Sequence, residues 1–198
     1  MKKNKEIHID ELELWKKVKS DDLNAFYEFY TFFYPKLKYI ANQLHCNDEI
    51  AKDLIHDTFV EIYERRSMIE IKSSLKYYLI RSFKSHLSKH LNSLNRLSKV
   101  KKEQEFEPAF TISFQTELIE KQHLVEKLSQ VETAINELTN RQREALYYFY
   151  KEGLDYDEIT EVMSLKTRRS SQNLIYEAIK VLRSKILFYF LILEGTST

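Results

Sequence analysis

A chain of 198 residues has room for one large domain or two small ones, and two glycines, two prolines and recurrent three-to-four apolar spacing make it almost wholly α-helical in expectation. A net charge of +1 excludes a uniformly basic surface, so any hold on nucleic acid must come from local patches. The single cysteine, Cys46, excludes an internal disulfide and a cysteine-rich zinc site, and fits a reducing cytoplasm.

The opening M-K-K-N-K-E-I-H-I-D is charged and has no apolar core, unlike a signal peptide. The longest apolar run, Ile186 to Leu193, falls short of the roughly twenty residues that a membrane span needs. Leu12 to Val18, with Trp15, predicts a short first helix, and Ser20, Asp21 and Asp22 offer caps for the next. In that second helix Leu23, Phe26, Tyr30, Phe33, Leu37, Ile40 and Leu44 form the expected core stripe, widened by Ala25, Tyr27 and Tyr34. Pro35 predicts a kink or a break midway.

A third helix is expected from Asp48 to Arg66, burying Ile50, Leu54, Ile55, Phe59 and Ile62. Lys52, Asp53, His56, Asp57, Glu61 and Glu64 line its other side. Asp53, His56 and Asp57 share one face at the spacing that metal-binding helices use, but no second histidine-bearing helix matches them. A polar face for docking another protein is therefore the reading, with no metal and no cofactor.

Lysines and arginines recur from Lys72 to Lys102 with no acid among them. Tyr77, Tyr78 and Phe83 interleave with Lys72, Lys76, Arg81 and Lys84, a composition suited to stacking single-stranded bases while a basic groove holds the backbone. Phe83 is expected in the core; Tyr77 and Tyr78 could serve either purpose. From about Leu97 to Thr116 periodicity lapses, as in a linker, and it returns at Leu118, Leu124, Leu128, Val131 and Ile135.

The last stretch predicts a helix-turn-helix. Leu138, Ala145, Leu146 and Phe149 give one amphipathic helix, which Gly153 ends where a left-handed cap costs least. Asp155 and Glu158 have capping-box spacing ahead of Ile159, Val162 and Met163. After Leu165 to Thr167, a third helix carries Ile175, Ala178, Ile179, Leu182 and Ile186 inward. Its opposite face holds Arg168, Arg169, Gln172, Asn173, Tyr176, Lys180 and Arg183. Arginine and lysine can grip phosphates or a guanine edge, and Gln172 and Asn173 can pair with adenine. Ser164 stands where such turns often have glycine.

The two modules together resemble a bacterial RNA polymerase sigma factor of the extracytoplasmic-function type. D-D-L-N-A-F-Y-E-F-Y-T-F-F-Y-P-K-L and A-K-D-L-I-H-D-T-F-V-E-I-Y are similar to the helices of its second conserved region. E-L-T-N-R-Q-R-E-A-L, E-G-L-D-Y-D-E-I-T-E-V-M and A-I-K-V-L-R are similar to its fourth. The resemblance implies an all-α fold of two small helical domains joined by a flexible linker. It implies a region 2-like domain over 10–96, a linker over 97–120 and a region 4-like domain over 121–193. It further implies that Asp53, His56, Asp57, Glu61 and Tyr63 contact core polymerase. Lys72, Ser73, Tyr77, Tyr78, Arg81 and Lys84 would face the opened minus-10 strand, and the helix-turn-helix would read the minus-35 element. The implied partners are RNA polymerase core enzyme, promoter DNA and an anti-sigma factor, in the cytoplasm and without catalysis. Read from the residues alone, an autonomous DNA-binding regulator with an N-terminal sensor or dimerisation domain stays open, as does, more weakly, a metal enzyme or hydrolase built on the helical bundle.

Overall fold

Helix α1 (Glu11–Lys19) starts at Asp10, whose carboxylate accepts from the amides of Leu12 and Glu13 at 3.0 and 3.1 Å. In the computed structural model the described residues are 10–71, 74–97 and 131–195, the side chains of 94–97 and 186–195 excepted. The expected contacts Lys72 and Ser73, most of the linker and the side chains of the terminal apolar run lie outside them. Every described element is helical, and the chain divides into two compact units.

In the first unit, α1 buries Leu14, Trp15 and Val18. The chain then turns through Asp21, a non-glycine residue at φ 69°. Asp22 caps α2 (Leu23–Gln43) by accepting from Asn24 and Ala25 at 2.9 and 3.1 Å. The buried stripe on α2 is rotated from the expected one in its first turns. The buried line is Ala25, Phe29, Phe33, Leu37, Ile40, Ala41 and Leu44, while Leu23 is 68% and Tyr27 72% exposed. Phe33, Leu37, Ile40 and Leu44 belong to both lines, as does the widening residue Ala25, and Phe29, one turn before Phe33, takes the centre of the core. Its ring lies 5.9 Å from Trp15, 5.3 Å from Phe33 and 5.4 Å from Phe59.

Nor does Pro35 interrupt α2, which runs unbroken through it. The proline faces solvent, where the carbonyl deprived of its partner can be hydrated.

Helix α3 (Asp48–Glu64) is capped by Asn47, which accepts from Glu49 and Ile50. It buries Leu54, Ile55, Phe59 and Ile62 as expected, and Ala51 and Thr58 besides; Ile50 is only half-buried. The Thr58 hydroxyl satisfies itself on the Leu54 carbonyl at 2.7 Å, which permits a polar residue inside. Helix α4 (Leu75–Leu97) packs on α3 and α1 through Leu75, Leu79, Ile80, Phe83 and Leu87.

The second unit begins, among the described residues, with α5 (131–136). Thr139 and Gln142 form a reciprocal capping box on α6 (Asn140–Leu146), which passes into a π-helical turn, Tyr147–Lys151. The amphipathic helix expected to run through Phe149 gives way to this turn after Leu146. The wider turn carries Tyr147 and Tyr148 into the core and leaves Phe149 half-buried. Gly153, at φ 67°, closes it as the sequence predicts. Helix α7 (Tyr156–Val162) has the predicted Asp155–Glu158 capping box, and α8 (Arg168–Gly195) packs on both α6 and α7.

Candidate nucleic-acid interface

The angle between α7 and α8 is set by backbone and hydroxyl bonds that leave one face of α8 clear. Leu165 N donates to Thr160 O at 2.8 Å and Ser164 N to Glu161 O at 3.1 Å, the paired bonds of a Schellman stop. That stop needs a left-handed residue, and Ser164 supplies it at φ 52° without being glycine. Ser171, wholly buried at the crossing, bonds the Tyr156 carbonyl at 2.8 Å and the Thr160 hydroxyl at 3.1 Å. Sequence reading missed this link, because a lone serine on a polar helix carries no signal until α7 lies against it.

With Ile175 and Ala178 inward, Arg168, Arg169, Gln172, Asn173, Tyr176, Lys180 and Arg183 are all exposed on α8. They succeed one another at steps of one, three and four, so long donors cover one continuous face over four turns. Tyr176 keeps 65% of its surface. The residues of this face differ in what holds them. Arg168 is ion-paired with Asp157 at 2.8 Å, and its guanidinium lies 5.8 Å from the Tyr156 ring, which stacks on Phe149. Lys180 lies 3.9 Å from Glu177.

The basic helix α4 gives a second surface. Ser74 accepts from the Tyr77 amide at 3.0 Å and so starts the helix. Phe83 is fully buried, as expected. Tyr77, Tyr78 and Lys84 are half-buried and Arg81 is exposed. Arg81 and Lys84 are one turn apart, with Tyr77 and Tyr78 in the turn before them.

The five residues expected on the docking face of α3 divide into two groups. Asp53, His56 and Asp57 are exposed and make no hydrogen bond or ion pair among the described residues, beside Val60 at 39% exposure. Glu61 and Tyr63 are instead engaged within the unit. Glu61 bonds His86 of α4 at 2.6 Å and accepts from Arg65 at 2.8 Å; His86 first, then Arg65, holds its carboxyl below the ordinary glutamate range. Tyr63 donates to Asp21 at 2.7 Å, and Arg66 donates to the same carboxylate oxygen at 2.6 Å while covering the Tyr63 ring. The Tyr63 hydroxyl is the chief reason the Asp21 carboxyl sits below its usual range. This knot pins the α1–α2 corner to the end of α3. Among the described residues no group of three or more His, Cys, Asp or Glu could hold a metal, and no helix is long and apolar enough to cross a membrane.

Residues 128–182, from just before α5 into α8, match the family model described as sigma-70, region 4. No curated protein sequence matches the chain. Among solved structures, the sigma factor RpoE in complex with the anti-sigma factor NepR from Bartonella quintana is similar, with a TM-score of 0.55 at 19% identity. That alignment covers 81% of this chain and 96% of the other. CnrH, solved in complex with the cytosolic domain of CnrY, is similar with a TM-score of 0.51 at 16% identity, over 88% and 95% of the two chains. At such identities the likeness is one of fold.

Proposed function

We propose that this chain, which carries a sigma-70 region 4 within a two-unit helical fold shared with a known sigma factor, is itself an RNA polymerase sigma factor of the extracytoplasmic-function type. It binds core enzyme and directs promoter-specific initiation of transcription; it catalyses nothing, and nucleotide chemistry belongs to the polymerase. The observation that carries this is the exposed donor face of α8 from Arg168 to Lys180, held by the Ser171 crossing inside the segment that matches region 4.

The work divides among three surfaces. Asp53, His56 and Asp57, with Val60 between turns, form the docking face for core enzyme, where exposed carboxylates suit a basic partner. Glu61 and Tyr63 support that face from within. Tyr77, Tyr78, Arg81 and Lys84, together with Lys72 and Ser73, hold the opened minus-10 strand by stacking and charge. The α8 face enters the major groove at the minus-35 element. The domains run over 10–96 and 121–193, with 97–120 as linker. A near-neutral chain makes DNA binding weak until docking on core adds its own hold. An anti-sigma factor, such as NepR is for RpoE, is the proposed regulator. The protein works in the cytoplasm.

Binding of the purified chain to RNA polymerase core enzyme, by fluorescence anisotropy, tests this reading. The wild type should bind tightly, and the double variant Asp53→Ala, Asp57→Ala should lose at least tenfold in affinity with an unchanged circular dichroism spectrum, since both carboxylates are exposed. A folded wild-type chain that ignores core enzyme would instead favour an autonomous DNA-binding regulator.

A further inference from the structure

Three carboxylates crowd the start of α7, and two have structural duties. Asp155 accepts from the amides of Asp157 and Glu158 at 2.8 Å each, and Glu158 returns a bond to the Asp155 amide at 2.9 Å. The Asp157 carboxylate takes no part in that exchange. Its Oδ2 crosses the turn to Arg168 Nη1 at 2.8 Å, with side chains 60% and 58% exposed. The two residues lie in the first turns of the two helices of the motif, where a duplex seated on α8 brings its phosphates near. An unpaired carboxylate there would repel the backbone, and an unpaired arginine would grip any backbone whatever its sequence.

We propose that Asp157 is a positioning residue for DNA recognition: it holds Arg168 as its counter-ion, which removes Arg168 from base reading and leaves discrimination to Arg169, Gln172, Asn173 and Tyr176. This rests on the sigma-factor reading above and assigns the division of labour within its minus-35 surface. The Tyr156 ring, stacked on Phe149, lies 5.8 Å from the guanidinium, and the Asp157–Arg168 pair together carries no net charge. Mutual neutralisation keeps sequence-independent affinity low, and the ratio of specific to non-specific binding rises as a result.

The test uses the full chain bound to core enzyme. A duplex selected by the wild-type holoenzyme from a random library is compared with a scrambled duplex of equal composition, over a range of salt. Asp157→Asn should raise affinity for the scrambled duplex several-fold and narrow discrimination. It should also steepen the salt slope by about 0.9, a further loss of roughly threefold for each fourfold rise in salt. Arg168→Ala should weaken both duplexes alike by exposing Asp157, and the double variant should recover wild-type affinity for both. Asp157→Glu should behave as wild type.

If Arg168→Ala weakens only the selected duplex and the double variant does not recover, Arg168 reads a base and the proposal is wrong. Unchanged salt slope and discrimination in a folded Asp157→Asn would equally overturn it. A wild-type holoenzyme that selects no sequence defeats the promoter-reading function itself, a distinct outcome because it appears before any substitution is made.

Discussion

Replacing Phe29 by leucine strikes the centre of the first unit. The ring is fully buried and meets Trp15, Phe26, Phe33 and Phe59 at centroid distances between 5.3 and 6.1 Å. Truncation of such a phenylalanine to alanine costs about 3–5 kcal/mol, much of a typical folding stability of about 5–15 kcal/mol, and would leave little folded protein to measure. Leucine keeps most of the volume but loses the edge-to-face contacts, so its cost should be about 1–2 kcal/mol. With a urea slope near 1–1.5 kcal/mol/M for a unit of this size, the midpoint should fall by about 1 M. The only tryptophan, Trp15, packs on Phe29 and gives a fluorescence signal for this unit. Leu23→Ala, at a residue 68% exposed, should shift the same midpoint by no more than ~0.5 kcal/mol equivalent. The two substitutions together measure the rotational phase of α2. Comparable losses from both, or a larger loss from Leu23→Ala, would refute the packing argued for this helix.

Ser164→Gly should raise the melting temperature, since the side chain occupies φ 52° at an exposed turn; a gain of about 0.5–1 kcal/mol remains after the flexibility that glycine adds to the unfolded chain. Calorimetry checks it, and a loss of stability would show that the serine side chain compensates its strained backbone. The carboxyl of Glu61 is held low chiefly by His86, so its contribution to stability is present above pH about 4.5 and drains away as pH falls through the lowered folded value. Acid titration of unfolding should therefore be shallower at that limb in Glu61→Gln, and identical acid limbs in wild type and variant would contradict the assignment.

Local chemistry made parts of this structure legible in the sequence. The Asp155–Glu158 box and the left-handed Gly153 depend on residues within a turn of one another, so spacing alone identifies them. The donor face of α8 follows from the apolar phase of Ile175 and Ala178 in the same way. What spacing could not show is of two kinds. In α2 apolar residues surround much of the helix, and a sequence with Leu23, Phe26, Tyr27, Phe29 and Tyr30 in succession does not single out the inward line until α3 and α1 are in place. Glu61 and Tyr63 look like surface residues of α3, but their partners, His86 and Asp21, are far away in the chain and are brought close only by tertiary packing. The proposed docking face is correspondingly narrower in exposed charge than the helix pattern suggests.

The π-helical turn at Tyr147–Lys151 has a consequence for how this unit tolerates changes in length. Such a turn holds about one residue more than an α-helical one, and here the bond from Glu152 N to Tyr147 O at 3.2 Å records the surplus. Deleting one residue in this turn would remove that surplus, so that ordinary helical bonding could resume with α6 still in phase with Gly153 and everything after it. Ala145 and Leu146 would then keep their places in the core, and the loss would fall on the turn itself, where Tyr147 and Tyr148 are both buried. Evolution can thus vary the exposed side chains of Tyr150 and Lys151 with little effect and can lose one residue at the same place, whereas a deletion within α6 itself would turn that helix by about 100° against its core.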